Sequence, residues 1–116
     1  MTGKRDRVPR PQSTTGWVLR FQSKDAADGW EELSRQLSNA TGVAYDHISQ
    51  EPRSHARPDR QHRLKGDYGS RVFDGRSLEQ WQYEVSGAAR VWYVIDDDKK
   101  TVWITDASVG HPKKTE

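Results

Sequence analysis

Residues 81–111 constrain the fold of this chain more than any other stretch. They contain three segments rich in aromatic and β-branched residues, separated by short polar turns: 81–85 (WQYEV), 90–95 (RVWYVI) and 101–105 (TVWIT). In the first segment apolar and polar residues alternate, which predicts a strand with one buried face. The second is apolar almost throughout, as in a central strand that is buried on both faces. Strands that follow one another through short turns predict an antiparallel meander.

The part of the chain before this meander predicts one strand and two helices. Residues 16–21 (GWVLRF) alternate as a strand does, and Ser23 or Asp25 is suited to cap a helix. That helix has one apolar stripe at helical spacing, formed by Ala26, Trp30, Leu33 and Leu37. A second helix over residues 43–51 is expected to be capped by Thr41 and ended by Pro52.

The second helix predicts where one histidine lies. Its inward residues are expected to be Val43, Ala44, His47 and Ile48. In that position His47 is a structural histidine, half-buried between the helices. A polar, basic connector over residues 53–66 then leads into a short strand, and residues 70–73 form another. The order of elements predicts an α+β fold, in which a helical hairpin packs on one face of a twisted antiparallel sheet.

Composition limits the chain to one domain and excludes several kinds of site. A chain of 116 residues with a mean hydropathy of −1.07 supports only a small core. The absence of cysteine excludes disulfides, thiolate metal ligands and cysteine nucleophiles. No segment has the length and apolarity of a membrane span or a signal peptide, so we expect a cytoplasmic protein without membrane contact.

The charge is unevenly distributed although the net charge is only +2. One basic zone covers residues 1–15, which contain two prolines and almost no apolar side chains. We therefore expect a flexible basic arm over residues 1–15, followed by a folded domain over residues 16–116. A second basic zone covers residues 51–71. Two such zones on a mildly acidic body predict a localised face that binds a polyanion.

Two histidines beside fixed positive charge are the candidates for catalysis, and no cluster of metal-ligand type accompanies them. His62 lies in the sequence RQHRLKG, and His111 lies in GHPKK just after the last predicted strand. Because a histidine gives or takes a proton near neutrality, such a pair suits the cleavage of a phosphodiester. Spacing alone does not establish this, and composition alone favours two ordinary surface histidines.

The ordered set of HRLKG, an RVWYVI strand headed by Arg90, IDDD and SVGH resembles the RelE/ParE toxin superfamily over residues 17–116. The resemblance implies a RelE-like βααβββ fold and the toxin of a type II toxin–antitoxin system. It also implies a metal-independent endoribonuclease of the RelE, YoeB and YafQ type, with no cofactor. Such a toxin cleaves mRNA in the ribosomal A site and is neutralised by a cognate antitoxin.

The resemblance also implies roles for individual residues. Arg90 corresponds to the arginine that contacts the scissile phosphate, and His111 to the position of the general acid. The base is then His62 or Glu84, and for Glu84 an ion pair with Arg90 across the strands is an equal alternative. The implied RNA-binding residues are the remaining cations, namely Arg60, Arg63, Lys65, Lys113 and Lys114.

The sequence departs from the family pattern at two places. Relatives end with an aromatic residue that stacks on the substrate base, whereas Glu116 stands near that place here. Gln82 and Glu84 stand where a pair of lysines is found in RelE. The missing terminal aromatic leaves open a non-catalytic relative that binds RNA or a protein partner. A ParE-like gyrase inhibitor is the other alternative, although it would not need the paired histidines or the terminal GH motif.

Overall fold

A computed structural model describes residues 16–110. The basic arm predicted over residues 1–15, together with His111, Lys113, Lys114 and Glu116, lies outside the described residues. The helices are α1 (Lys24–Gln36) and α2 (Ser38–Gln50), and a short 3-10 helix covers Gly66–Gly69. The strands are β1 (Val18–Phe21), β2 (Gln61–Arg63), β3 (Ser70–Phe73), β4 (Arg76–Ser86), β5 (Ala89–Asp96) and β6 (Thr101–Ser108). Neither α-helix of this described part is long and apolar enough to cross a membrane.

The strands form one sheet in the order β1-β6-β5-β4-β2, and β3 pairs separately with β4. Strands β4, β5 and β6 are the antiparallel meander that the sequence predicts. The predicted α+β fold is confirmed, with one feature that sequence patterns do not indicate. Strand β1 lies parallel to β6, from the pair Val18 and Thr101 to the pair Phe21 and Ile104. The α1–α2 hairpin and the meander connect these two neighbouring strands.

The core lies between the helical hairpin and one face of the sheet. Because side chains alternate along a strand, only every second residue of β4 faces the helices. The buried apolar residues of this layer are Ala26, Leu33, Ala44, Ile48, Trp81, Tyr83, Val85, Ala89, Val91, Tyr93, Ile95, Val102 and Ile104. Ser23 caps α1, since its hydroxyl accepts a hydrogen bond from the Ala26 backbone N–H at 3.2 Å.

The second helix begins earlier than its sequence indicates. Only Leu37 separates it from α1, so Thr41 lies inside the helix and the prediction of Thr41 as its cap is wrong. The buried Thr41 hydroxyl instead donates a hydrogen bond to the Leu33 carbonyl, 3.2 Å away. The inward placement of Val43 is also wrong, because its side chain is 50% exposed. Helical spacing from Thr41 buries Ala44 and Ile48 and turns Val43 outward.

His47 is half-buried, as predicted, but its contact is with the sheet. Its Nδ1 atom lies 2.6 Å from the hydroxyl of Tyr83 on β4, and the two rings are 5.8 Å apart. Burial lowers the pKa of His47, and the positive charge of Arg57 lowers it further. A neutral ring that carries its proton on Nε2 accepts a hydrogen bond from the Tyr83 hydroxyl at Nδ1. His47 therefore fastens α2 to the sheet as a structural residue.

Candidate active site

The face of the sheet turned away from the helices, here termed the open face, carries two rows of polar and aromatic side chains across neighbouring strands. Residues that pair directly across strands point to the same face. The first row consists of His62, Gln82, Trp92 and Asp106. The second row consists of Glu84, Arg90 and Ser108. His62 and Arg90 thus share a face. They are two strands apart across the sheet and two residues apart along it, so their Cα atoms are about 12 Å apart.

Arg90 is held at the edge of this face by three groups. Its Nη2 atom lies 3.1 Å from Glu84 Oε1, and the Arg90 side chain is only 15% exposed. Its Nη1 atom donates to the carbonyl of Ala89 at 3.1 Å and to the carbonyl of Gly87. Gly87 has a φ of +54° in the β4–β5 turn, a conformation that glycine adopts without strain. Because a guanidinium has five N–H groups, Arg90 keeps donors for an incoming phosphate.

His62 lies on the edge strand β2, opposite Gln82. Its ring is half-buried, and its buried Nδ1 atom has no hydrogen-bond partner among residues 16–110. A buried nitrogen without a partner is unusual in a folded protein, where such atoms are nearly always hydrogen-bonded. Strand β2 itself is held from the other side of the sheet. There the buried Gln61 donates to the Tyr93 hydroxyl at 3.0 Å and to the carbonyl of Glu51 at 3.0 Å.

Residues 66–73, here termed the flap, cover part of the open face. Within the flap, the Tyr68 ring lies 5.4 Å from that of Trp92, and the Phe73 ring lies 4.9 Å from that of Trp103. Arg71 crosses to β6, where its Nη1 atom is 3.2 Å from Asp106 Oδ2. The flap is thus fixed to β5 by one ring contact, and to β6 by a second ring contact and an ion pair.

The first turn of the flap is equally constrained. A side chain at Gly69 would place its Cβ only 2.6 Å from the Leu64 carbonyl oxygen, so glycine is required there. Arg63 donates to the Gly69 carbonyl at 2.9 Å and to the Ser70 hydroxyl at 3.1 Å. Between the flap and the sheet is a cavity of about 200 Å³, lined by Asp67, Tyr68, Ser70, Arg71, Gln80 and Trp92.

The predicted RNA-binding cations have different environments. Arg60 donates to the carbonyls of Glu84 and Val85 at 3.3 Å, at the end of β4. Arg63 holds the flap, as described above. Lys65 is exposed immediately before the flap and forms no ion pair with residues 16–110. Lys113 and Lys114 lie outside the described residues. The structure thus gathers His62, Glu84 and Arg90 on one face, with Arg60 and Lys65 at its border.

The second basic zone, residues 51–71, is less basic in the folded chain than its sequence implies. Arg53 binds Asp97 at 2.7 Å and Glu79 at 3.1 Å. Burial opposes ionisation of Glu79, but the hydrogen bond and charge of Arg53 outweigh it and lower the pKa of Glu79. Arg71 is paired with Asp106. Two of the cations counted in the second basic zone are therefore matched by acidic side chains of the sheet.

Sequence reasoning missed the aromatic part of this face. Trp92 was included among apolar strand residues, although it belongs to the open face. Tyr68 lies in a GDYG segment without strand or helix periodicity. An isolated aromatic between two glycines is the one signal that distinguished it. Among residues 16–110, no group of three or more histidine or acidic side chains is arranged to hold a metal ion.

The fold is similar to that of several solved toxin–antitoxin structures. A chain of the toxin–antitoxin complex RelBE2 from Mycobacterium tuberculosis matches with a TM-score of 0.54 and 22% identity, over 80% of this chain and 96% of that chain. A chain of the archaeal RelE–RelB complex from Pyrococcus horikoshii OT3 matches with a TM-score of 0.55 and 17% identity, over 79% and 92%. The YoeB dimer from Staphylococcus aureus matches with a TM-score of 0.55 and 12% identity, over 82% and 98%.

These similarities cover nearly the whole length of each matched chain, so the RelE-like fold expected from the sequence motifs is confirmed. Sequence comparison adds nothing to this result. No family model matches the chain, and no curated protein matches it.

Proposed function

We propose that this chain is the toxin of a type II toxin–antitoxin system and acts as a metal-independent endoribonuclease on mRNA. The observation that carries the proposal is the position of Arg90, whose guanidinium is held on the same open face as His62. Its fold, shared with RelE and YoeB structures, supports the assignment. A positioned guanidinium stabilises the charge that develops on a phosphate during cleavage.

The proposed reaction is attack of a 2′-hydroxyl on the adjacent phosphorus. His62 accepts the hydroxyl proton as the bond from the 2′-oxygen to phosphorus forms. The bond from phosphorus to the 5′-oxygen breaks, and His111 gives that oxygen a proton. The products are a 2′,3′-cyclic phosphate and a 5′-hydroxyl. Neither oxidant nor co-substrate is consumed, and Arg90 stabilises the additional negative charge on the phosphate.

The contacts of Glu84 favour His62 as the base. The Glu84 carboxylate is bound by Arg90, and it has a clear role in holding that guanidinium. Covalent connectivity supports His111 as the acid. Ser108 pairs with Arg90, and His111 follows three residues later.

The same proposal includes the binding partners. Exposed Lys65, with Arg60, Arg63, Lys113 and Lys114, would contact phosphates of an mRNA in the ribosomal A site, which requires a cytoplasmic location. A cognate antitoxin would neutralise the toxin, as the names of the matched toxin–antitoxin complexes suggest.

The test is incubation of the purified chain with mRNA, both free and on translating ribosomes. Wild type is expected to produce fragments with 5′-hydroxyl ends, and Arg90→Ala is expected to lower the cleavage rate by about 10²–10³. Inhibition of gyrase supercoiling without RNA cleavage would favour the ParE-like alternative. Binding of RNA without cleavage would favour the non-catalytic relative.

A further inference from the structure

The most exposed aromatic side chain on the open face is Tyr68. It is 43% exposed, while Trp92 beneath it is only 1% exposed. The two rings are tilted by 58° with centroids 5.4 Å apart. The Tyr68 ring therefore rests on a buried tryptophan while part of its apolar surface is exposed to solvent.

The backbone of the flap fixes the position of Tyr68. The Gln80 side-chain amide donates to the Tyr68 carbonyl at 2.9 Å, and the Gln80 oxygen accepts from the Thr105 hydroxyl at 3.0 Å. Gly69 and Arg71 hold the next part of the flap, as described above. Because the backbone and the contact with Trp92 restrict the Tyr68 ring, a ligand that stacks on it loses less side-chain entropy.

A polar group of defined orientation lies beside this pair. The Trp92 Nε1 atom lies 2.8 Å from the Gln82 side-chain oxygen. An indole N–H is only a donor, so the Gln82 oxygen must face Trp92 and its NH₂ group must point away. Within residues 16–110 that NH₂ group makes no hydrogen bond, and Gln82 lies between Trp92 and His62 in the first row.

We propose that Tyr68, supported by Trp92, stacks on a nucleobase of single-stranded RNA and that the Gln82 amide donates a hydrogen bond to it. This proposal rests on the function proposed above and adds the base-binding subsite of the same face. Single-stranded RNA is bound through unstacked bases that lie on aromatic side chains. Every base has a stacking face and a hydrogen-bond acceptor, so this subsite tolerates different sequences.

The spacing to Arg90 agrees with this assignment. Arg90 and Trp92 are two residues apart on β5 and point to the same face, so their Cα atoms are about 7 Å apart. Because the Tyr68 ring lies against Trp92, a base on Tyr68 is bound near Arg90 on the same face. The cavity under the flap lies next to the stacked base and adds Asp67, Ser70 and Arg71 as polar neighbours.

Tyr45 provides a matched control for Tyr68. It is 46% exposed, and its ring lies 6.5 Å from that of Trp30, so it too is an exposed tyrosine against a tryptophan. It belongs to α2, which covers the opposite face of the sheet. Substitution of Tyr45 therefore reports the general effect of removing such a ring.

The experiment measures binding of the full chain to two 2′-O-methyl pentanucleotides, which lack the attacking hydroxyl. One has 2-aminopurine at its centre, whose fluorescence is quenched by stacking, and the other has an abasic centre. Tyr68→Ala should weaken binding of the first by roughly 10- to 100-fold and abolish quenching. It should leave binding of the abasic strand unchanged. Tyr68→Trp should retain both properties, and Tyr45→Ala should behave as wild type.

The outcomes separate this subsite from the proposed enzyme activity, which is measured in parallel on mRNA. If wild type cleaves mRNA but Tyr68→Ala binds both strands as wild type does, the stacking assignment is overturned and the ribonuclease stands. If wild type stacks on the 2-aminopurine strand without cleaving mRNA, the subsite stands and the ribonuclease fails. If wild type binds neither strand, the nucleobase subsite is overturned.

Discussion

Arg90 and Glu84 are direct partners across the β4–β5 ladder, and their side chains form an ion pair of 3.1 Å. The side chains are 15% and 33% exposed, so the pair is partly shielded from solvent. The carboxylate keeps the guanidinium in place but also cancels its charge. A phosphate that binds Arg90 must therefore compete with Glu84.

This competition predicts the effect of Glu84→Gln. The substitution removes the negative charge while the carbonyls of Gly87 and Ala89 still hold Arg90. We expect tighter RNA binding at low salt and cleavage within about tenfold of wild type, because His62 remains as base. The logarithmic salt slope of binding should steepen by about 0.7, the value for one additional phosphate contact on a single strand. Glu31→Gln, an exposed change on α1, is the control. A 100-fold loss of cleavage at unchanged affinity would instead identify Glu84 as the base.

The two kinds of cation in the basic connector predict different salt dependences. Arg53 is occupied by Asp97 and Glu79, whereas exposed Lys65 has no ion pair within the described chain. Lys65→Ala should therefore reduce the salt slope of RNA binding by about 0.7. Arg53→Ala should leave that slope unchanged in protein that remains folded. Equal slopes for both variants would show that Lys65 does not contact phosphate.

A pair of histidine variants separates catalysis from stability. His111→Ala should lower RNA cleavage by about 10²–10⁴ through loss of the proton donor. Because Gly110 and Pro112 flank it in sequence, we expect an exposed turn and a change in unfolding free energy within about 0.5 kcal/mol. His47→Ala removes the partner of the Tyr83 hydroxyl and should cost about 1–3 kcal/mol of stability, with normal cleavage per folded molecule. Wild-type cleavage by His111→Ala would assign the acid to another residue.

The Asp96–Arg76 pair predicts the behaviour of the fold in acid. The Asp96 side chain is fully buried, and its two oxygens accept from Arg76 at 2.7 and 3.0 Å. The hydrogen bonds from Arg76 lower the pKa of Asp96 to about 2. A lowered carboxyl pKa gives stability that is present above about pH 4 and is lost as the pH falls towards 2.

Asp96→Asn should make the free energy of unfolding less dependent on pH in this acidic range. Loss of the charge leaves Arg76 without its buried partner, so unfolding at pH 7 should become easier by roughly 2–3 kcal/mol. Denaturant titrations at several pH values between 2 and 7 measure both effects. A variant that loses stability in acid as steeply as wild type would exclude Asp96 as the responsible group.

Two helical glycines predict opposite effects of the same substitution. A Cβ on Gly29 of α1 would lie 2.1 Å from the Ala107 carbonyl oxygen on β6, whereas a Cβ on Gly42 of α2 meets nothing within 4 Å. Gly29→Ala should force α1 away from the sheet and destabilise the fold by about 1–3 kcal/mol. Gly42→Ala should stabilise it by up to about 1 kcal/mol through helix propensity. Thermal unfolding of both variants gives the comparison, and a shift of the same sign in both would contradict the close packing of α1 on β6.

Local patterns predicted the elements whose signals are local. Alternation in residues 81–85 and the apolar run of residues 90–95 located β4 and β5, because a strand repeats every two residues. The start of α2 was placed too late, since a helix boundary of one residue, Leu37, leaves no break in composition. The polar segment Gln61–Arg63 has no strand periodicity, because pairing with β4 and burial of Gln61 define it as β2.

Long-range pairs were beyond the sequence for a different reason. Charge counts treat every arginine of the second basic zone alike, but Arg53 meets Asp97 and Arg71 meets Asp106 only in the folded chain. The shared face of His62 and Arg90 depends on the pairing of β2 with β4, which the polar segment Gln61–Arg63 does not indicate. The position of their neighbour Tyr68 is equally non-local, because the flap that carries it is held by contacts with three separate strands.

The parallel pairing of β1 with β6 has a consequence for how the chain is made. A ribosome synthesises β1 before any other element of the described chain, yet its only partner strand is the last one to emerge. Closing so long a loop costs chain entropy before any contact compensates for it, which slows folding. Until residue 104 is available, Leu19 and Phe21 have no edge to join. β1, the first strand of the described chain to be synthesised, is therefore the last that can pair in the sheet.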